Sequence, residues 1–379
     1  MFPDYKRSIL SITSSVAAFF GASAPYPPLD EVTKALNEKD TKNVVLLLFD
    51  GMGEKLLKKH LPEDAFLNQN DAGPISTVFP STTTAATTSL WTGLAPGEHA
   101  WLGWSLYFKE IGRQIDTFLG RDSFTGEKYA LFSPAENYIP FETIYPRVSE
   151  ACETHAFFPF PTSAAKGAKD RAIYTGYTDL ARRIKTAAAK KGKQLIVAYM
   201  IEPDHTMHEY GVSALQTQTA FTRINDFCKS LSKSLSGDTL FTVTADHGLA
   251  DVTENIDISK IPEIMDALIM PPSIEGRAAS FFVKEDRKTD FLTEFEKRFK
   301  GDFEILTHKE VFEKKLLGLF APHKKSHDFV GDFFVLAKGT KSIKFTTPAS
   351  KDDGDLIGQH AGLTEDEMLV PVILFRGQA

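Results

Sequence analysis

Six consecutive apolar residues, Val44 to Phe49, run straight into Asp50, Gly51 and Gly53 in the stretch VVLLLFDGMG. An apolar run without alternation is the pattern of a strand buried on both faces, as parallel sheets require. The glycines end the strand and turn the chain into the helical pattern EKLLKKHL. Asp50 therefore belongs at the end of a central strand, the edge at which open α/β sheets hold their ligands. A carboxylate at the mouth of a buried strand needs a partner, and a metal ion supplies one. Capping of the following helix is the plainer alternative for Asp50 taken alone.

The same arrangement recurs downstream. LIVAYM (195–200) reads as a second buried strand, followed by IEPDHTMHEYG, where Asp204 and His208 fall four residues apart. On a helix that spacing puts both on one face, able to chelate one ion. His205 lies off that face and reads as a supporting residue. TLFTVTA (239–245) is a third strand and leads into Asp246, His247 and Gly248. GQHAG then sets His360 in a loop ahead of the closing strand PVILF (371–375). Taken singly these are ordinary turn residues. Together they offer three carboxylates and three imidazoles at strand ends, a donor set for two zinc-like ions with open positions. Mn²⁺ and Fe²⁺ accept the same donors. A hydroxyl nucleophile must sit against such ions or a base to be activated. VFPSTTTAATTSLWTGL offers Ser81, Thr82, Thr83 and Thr84, and composition does not choose among them. The hydroxyl run also suits a helix N-cap, and a helix N-terminus favours an arriving phosphate.

The rest of the chain completes an α/β alternation, with helical patterns at LDEVTKALNEKD, Thr178 to Lys191 and Ser213 to Leu235. Gly73 to Pro80 reads as a loop. Between Trp101 and about Gly176 the rhythm lapses and aromatics crowd in, among them Phe118, Phe124, Tyr129, Phe132, Tyr138 and Phe141. That suits an inserted cap that shapes a pocket. A second insertion is expected at about 260–345, both set into one catalytic domain spanning 1–379. Lys6 and Arg7 precede SILSITSSVAAFFGASAP, which has the outline of a secretory signal. Ile9, Ile12, Val16, Phe19 and Phe20 instead mark one face of an amphipathic helix docked on the domain, and a cytoplasmic location is expected. No stretch approaches the roughly 18 apolar residues of a membrane span. A net charge of −7 gives no basic field for nucleic acid. Cys152 and Cys228 do not make a disulfide framework and read as buried thiols. Oligomeric state is not encoded in any of these patterns.

The ordered set LLLFDGMG, FPSTTTAATTSLWTGLAPGEHAW, EPDHTMHEYG, TADHGL and GQHAGLTEDEMLVPV resembles the type I phosphodiesterase and nucleotide pyrophosphatase family of the alkaline phosphatase superfamily. The resemblance implies an alkaline phosphatase-like α/β fold, a mostly parallel central sheet flanked by helices and carrying an inserted cap. It implies a small-molecule phosphoryl ester as substrate and two Zn²⁺. Asp50, Thr83, Asp246 and His247 would hold one ion, and Asp204, His208 and His360 the other. Thr83 falls where the family's nucleophile lies counted from Phe79-Pro80, with Thr82 next in line, and a phosphothreonine intermediate is implied. Three Asp against two dications leave a formal +1, which falls to zero with Thr83 as alkoxide and suits a diester monoanion. The chain departs from the family where an Asn beyond the nucleophile would donate to a phosphate oxygen. Here that stretch reads HAWLGWSLYF, so Ser105, beside Trp104, or a group from the aromatic insertion is expected to substitute. A phosphomonoesterase or phosphonate hydrolase of the same superfamily is the alternative. A non-catalytic, metal-stabilised binding protein is the reading from another class.

Overall fold

The apolar run forms the strand Asn43–Phe49, every residue of it buried, in a computed structural model that describes residues 1–129, 133–351 and 354–379. Phe132, one of the aromatics noted above, lies outside the described residues. The parallel strands Gln194–Met200 and Thr239–Thr244 flank Asn43–Phe49 and are equally buried. Glu153–Phe158 and Asp170–Ile173 extend the sheet in parallel on one side. On the other side Leu369–Arg376 pairs antiparallel with Thr239–Thr244, and Asp71–Ser76 closes that edge. Strands buried at every position need cover on both faces. Helices Asp30–Asn37, Glu54–His60 and Gly176–Ala188 pack on the sheet, and the long helix Leu215–Ser234 buries Phe221, Ile224 and Leu231.

Two local readings change. Asp71–Ser76 is an edge strand and not a loop. Gly73 and Pro74 hide its pattern, and Pro is tolerated there because an edge strand leaves one side unpaired. The first helix, Ile9–Phe19, is buried almost all round and not amphipathic, its Ser11, Thr13, Ser14 and Ser15 included. Thr13 donates to the Leu90 carbonyl at 2.6 Å and Ser15 to the Ser11 carbonyl at 2.9 Å, so burial leaves those two satisfied, whereas the Ser14 hydroxyl is buried without a partner.

A second seven-stranded sheet, antiparallel throughout, draws on both stretches read as insertions. Its order is Phe303–Thr307, Phe333–Ala337, Ala278–Phe281, Ser273–Ile274, Ser105–Phe108, Arg113–Asp116 and Arg121–Asp122. Alternate residues serve its two faces. Phe334 and Leu336 join one core with Phe108 and Ile115, while Phe333 and Val335 join Phe291 and Phe295 of the helix Lys288–Phe299. The strands Glu153–Phe158 and Asp170–Ile173, inside the first of those stretches, belong to the central sheet. Cys152 and Cys228 are buried and free. Among the described residues no helix is long and apolar enough to cross a membrane.

Candidate active site

The central strands end side by side, and their main chains lock together. The Asp50 N–H donates to the Met200 carbonyl at 2.9 Å, and the Asp50 carbonyl accepts from the Asp204 N–H at 3.0 Å. Gly51 follows with φ of +71°, and a Cβ there would come within 2.9 Å of the Asp204 Cβ. Only glycine permits that approach. Its N–H donates to Asp246 Oδ1 at 3.1 Å, joining the first strand end to the third.

Thr83 opens the ten-residue helix Thr83–Thr92. Its Oγ1 is 3.4 Å from each oxygen of Asp50 and 3.1 Å from His247 Nε2. The neighbouring hydroxyls are differently placed. Ser81 donates to the Gly362 carbonyl at 2.7 Å, Thr82 to Glu275 Oε1 at 2.6 Å, and Thr84 is buried without a partner.

His247 Nε2 lies 3.2 Å from Asp50 Oδ1 and 3.7 Å from Asp246 Oδ2, while its Nδ1 is 3.1 Å from the Gly248 carbonyl. His208 is held the same way, Nδ1 at 2.7 Å from the Gly358 carbonyl and Nε2 at 3.1 Å from Asp204 Oδ2. A carbonyl on Nδ1 fixes the tautomer and leaves Nε2 free to ligate. His360 Nε2 is 3.9 Å from Asp204 Oδ1, and its ring stacks on His247 with centroids 3.9 Å apart. Its loop is tied to the hydroxyl-rich loop before Thr83 where the Ala361 N–H donates to the Ser81 carbonyl at 2.8 Å. All seven residues singled out in the sequence therefore converge. Among the described residues, Asp50, Asp246 and His247 form one group that could hold a metal, and Asp204, His247 and His360 another. His247 stands between the two.

The electrostatics call for a cation. Burial, then the charge of Asp204, push the Asp50 carboxyl well above its usual range. Burial, then Asp50, do the same to Asp246. At Asp204 burial acts in the same direction, but His208, His360 and His247 outweigh it and hold the carboxyl low. Burial disfavours charge on His208, yet Asp204 overrides it and lifts the imidazole to about 9. His360 is pushed well down by burial and by His247. Asp246 Oδ2 and Asp204 Oδ1 are buried with no donor. Crowded buried carboxylates with orphaned oxygens, beside imidazoles whose Nε2 atoms point at them, fit divalent ions.

Two further residues belong to the site. The Tyr199 hydroxyl donates to Asp50 Oδ2. Its signal was a tyrosine near the end of an apolar strand, since a buried phenol needs a polar partner. Glu275 accepts from the Thr82 hydroxyl and, at 2.8 Å, from the Trp104 N–H. Burial lifts its carboxyl to about 7. No periodicity or motif marks Glu275 in SIEGR. The expectation for Ser105 is corrected, because its hydroxyl accepts from Gln114 and faces a separate cavity. His205 is exposed on the wall of the cleft and does not support the cluster. A cleft of about 700 Å³ opens over Thr83, with Trp104, Phe118, Phe141 and Phe160 among its walls.

The family profile described as type I phosphodiesterase / nucleotide pyrophosphatase matches residues 44–346, and the chain belongs to that family. Murine ectonucleotide pyrophosphatase / phosphodiesterase 5 has a similar structure, with a TM-score of 0.66 and 16% identity over 89% of this chain and 88% of that one. The human counterpart gives a TM-score of 0.66 and 16% identity, again over 89% and 88%. Phosphonoacetate hydrolase from Sinorhizobium meliloti 1021, solved with phosphonoformate, gives 0.59 and 15% over 88% of this chain and 90% of that one. At such identities the likeness is one of fold. Comparison with curated proteins finds no match.

Proposed function

We propose, on the premise of membership in this metal-dependent family of phosphoric ester hydrolases, that the chain is a zinc-dependent phosphodiesterase working through Thr83. The observation that carries the reading is the meeting of the Thr83 hydroxyl with Asp50 and His247 at the mouth of an open cleft. Two dications, one held by Asp50, Thr83, Asp246 and His247 and one by Asp204, His208 and His360, would supply Lewis-acid charge for the nucleophile and the leaving group.

The chain's own residues do the rest. Tyr199 donates to Asp50 and fixes its carboxylate against Thr83. Thr83 sits at a helix N-terminus, where the first N–H groups lack intrahelical partners and can receive phosphoryl oxygens. Thr83 gives up its proton to solvent, its oxygen bonds to phosphorus, and the bond to the ester oxygen breaks. The departing alkoxide takes a proton from water. A water molecule then attacks the phosphothreonine, the Thr83–phosphorus bond breaks, and Thr83 regains its proton. The work of the fold is alignment and charge.

Charge also favours a diester. With two dications in place the cluster would be formally neutral with Thr83 as alkoxide, so a monoanion would be met more readily than a dianion. The test is hydrolysis of bis-p-nitrophenyl phosphate and p-nitrophenyl phosphate by zinc-reconstituted protein and by Thr83→Ala. Diester preference and loss of turnover in T83A are expected. A monoester preference overturns the substrate class, and an active T83A protein overturns the nucleophile. Tight zinc binding with no turnover on any phosphoryl ester would return the protein to the metal-stabilised binding class.

A further inference from the structure

The cleft above Thr83 has an unusual inventory for a site that handles phosphates. Among the described residues lining it there is no lysine or arginine. Outside the metal-binding cluster its acidic side chains are Glu136 and Glu275. Glu136 is answered from outside by Lys166 at 2.7 Å. Glu275 stands beside the nucleophile and has hydrogen-bond donors but no ion-pair partner. The walls are apolar instead. Trp104, Leu119, Phe160, Ile201 and Leu356 all face the cleft and remain 39% to 48% exposed. Five large apolar side chains left partly bare around one opening mark a binding surface.

These features act on the part of the substrate that is not the reacting phosphoryl group. A second phosphate or a carboxylate there would leave water for apolar walls, meet no cation and approach Glu275. An aromatic or alkyl group would gain the burial those side chains lack. We propose that the cleft selects phosphodiesters whose second substituent is a bulky apolar group without negative charge of its own, and discriminates against nucleoside polyphosphates and small carboxylated phosphonates. The inference rests on the phosphodiesterase reading above and adds the class of substrate.

Two diesters with the same p-nitrophenyl leaving group test it, one carrying a phenyl and the other a 4-carboxyphenyl second substituent. With zinc-loaded full-length protein the phenyl ester should show a kcat/KM at least about tenfold higher, carried mainly by KM, since an unpaired anion in an apolar site costs more than 1.4 kcal/mol. Leu119→Lys and Leu356→Lys should each narrow the gap by improving the carboxylated ester. Calorimetric binding of both diesters to zinc-loaded Thr83→Ala should show the same ratio without turnover. Equal or better cleavage of the carboxylated ester overturns the inference while the phosphodiesterase reading stands. If neither ester is cleaved but T83A still prefers the phenyl diester, the catalytic reading falls and the preference holds. Absence of both cleavage and binding removes both.

Discussion

Arg277→Met should be among the most damaging substitutions in this protein outside the candidate active site. Arg277 and Glu367 form an ion pair with neither side chain exposed. Arg277 Nε donates to Glu367 Oε1 at 2.6 Å and Nη2 to Oε2 at 2.8 Å. Its remaining donors reach the carbonyls of Lys341 at 2.9 Å and Gly339 at 3.0 Å. Glu367 also accepts from the Gly362 N–H at 2.8 Å and the Thr364 hydroxyl at 2.6 Å. The pair thus clamps the loop that carries His360 against the second sheet. Methionine would fill the space but leave a buried carboxylate without its cation and two carbonyls without donors. Removing one partner of a buried pair costs about 3–5 kcal/mol, a large part of the roughly 5–15 kcal/mol by which domains are stable.

The pair also sets a pH signature. Burial alone would raise the Glu367 carboxyl, but Arg277 outweighs it and holds the group below its usual range. A carboxyl lowered by folding contributes stability that is present above its unfolded value of about 4.3 and lost as pH falls through the folded one. In Arg277→Met only burial and the neutral donors of Gly362 and Thr364 remain. The folded value then rises and the sign reverses, so the variant's deficit shrinks as pH falls. Urea unfolding followed by circular dichroism at neutral and mildly acidic pH measures both effects. Adding Glu367→Gln to Arg277→Met removes the stranded charge and keeps an acceptor, so the double variant should recover at least about 1 kcal/mol. A loss under about 1 kcal/mol in the single variant, or no recovery in the double, would refute this account of the clamp.

Tyr199→Phe deletes the donor to Asp50 and should weaken metal affinity about 10- to 100-fold, read by chelator competition, with the fold intact by circular dichroism. Exhaustive chelation should abolish phosphodiester cleavage and lower the unfolding temperature. Restored zinc at a hundred times its dissociation constant should return about 2.7 kcal/mol, and unchanged activity after verified metal removal would contradict the site. In metal-free protein, His208 is raised to about 9. Its contribution should be complete below about pH 6.5 and fade as pH rises through the folded value. Thermal unfolding between these limits should slope downward in the wild type and flatten in His208→Gln.

Much of this candidate site was legible in one dimension because most of its polar groups sit at strand ends. Buried parallel strands announce themselves as apolar or β-branched runs without charge, and the polar residues that follow each run emerge at the same sheet edge. That argument reached Asp50, Asp204, His208, Asp246 and His247, and the loop glycines added His360. It could not choose among Ser81, Thr82, Thr83 and Thr84, since consecutive residues share composition and differ only in direction. It also missed the edge strand Asp71–Ser76, where Gly73 and Pro74 erase the pattern that a central strand would have kept.

Glu275 and the Arg277–Glu367 clamp lie beyond any local reading. Glu275 reaches Thr82 across 193 positions of chain, and Arg277 reaches Glu367 across 90. The sheet that carries Glu275 to Thr82 forms only when two distant segments, 105–122 and 273–337, pair as one layer. Short-range physical rules, the alternation of side chains and the turning of glycine, are written into neighbouring residues, so sequence alone determined the central strands and the donor set at their ends. Which hydroxyl faces the cluster, and the lack of lysine and arginine among the described residues of the cleft wall, were decided by tertiary structure, because each depends on side chains that only long-range packing brings together.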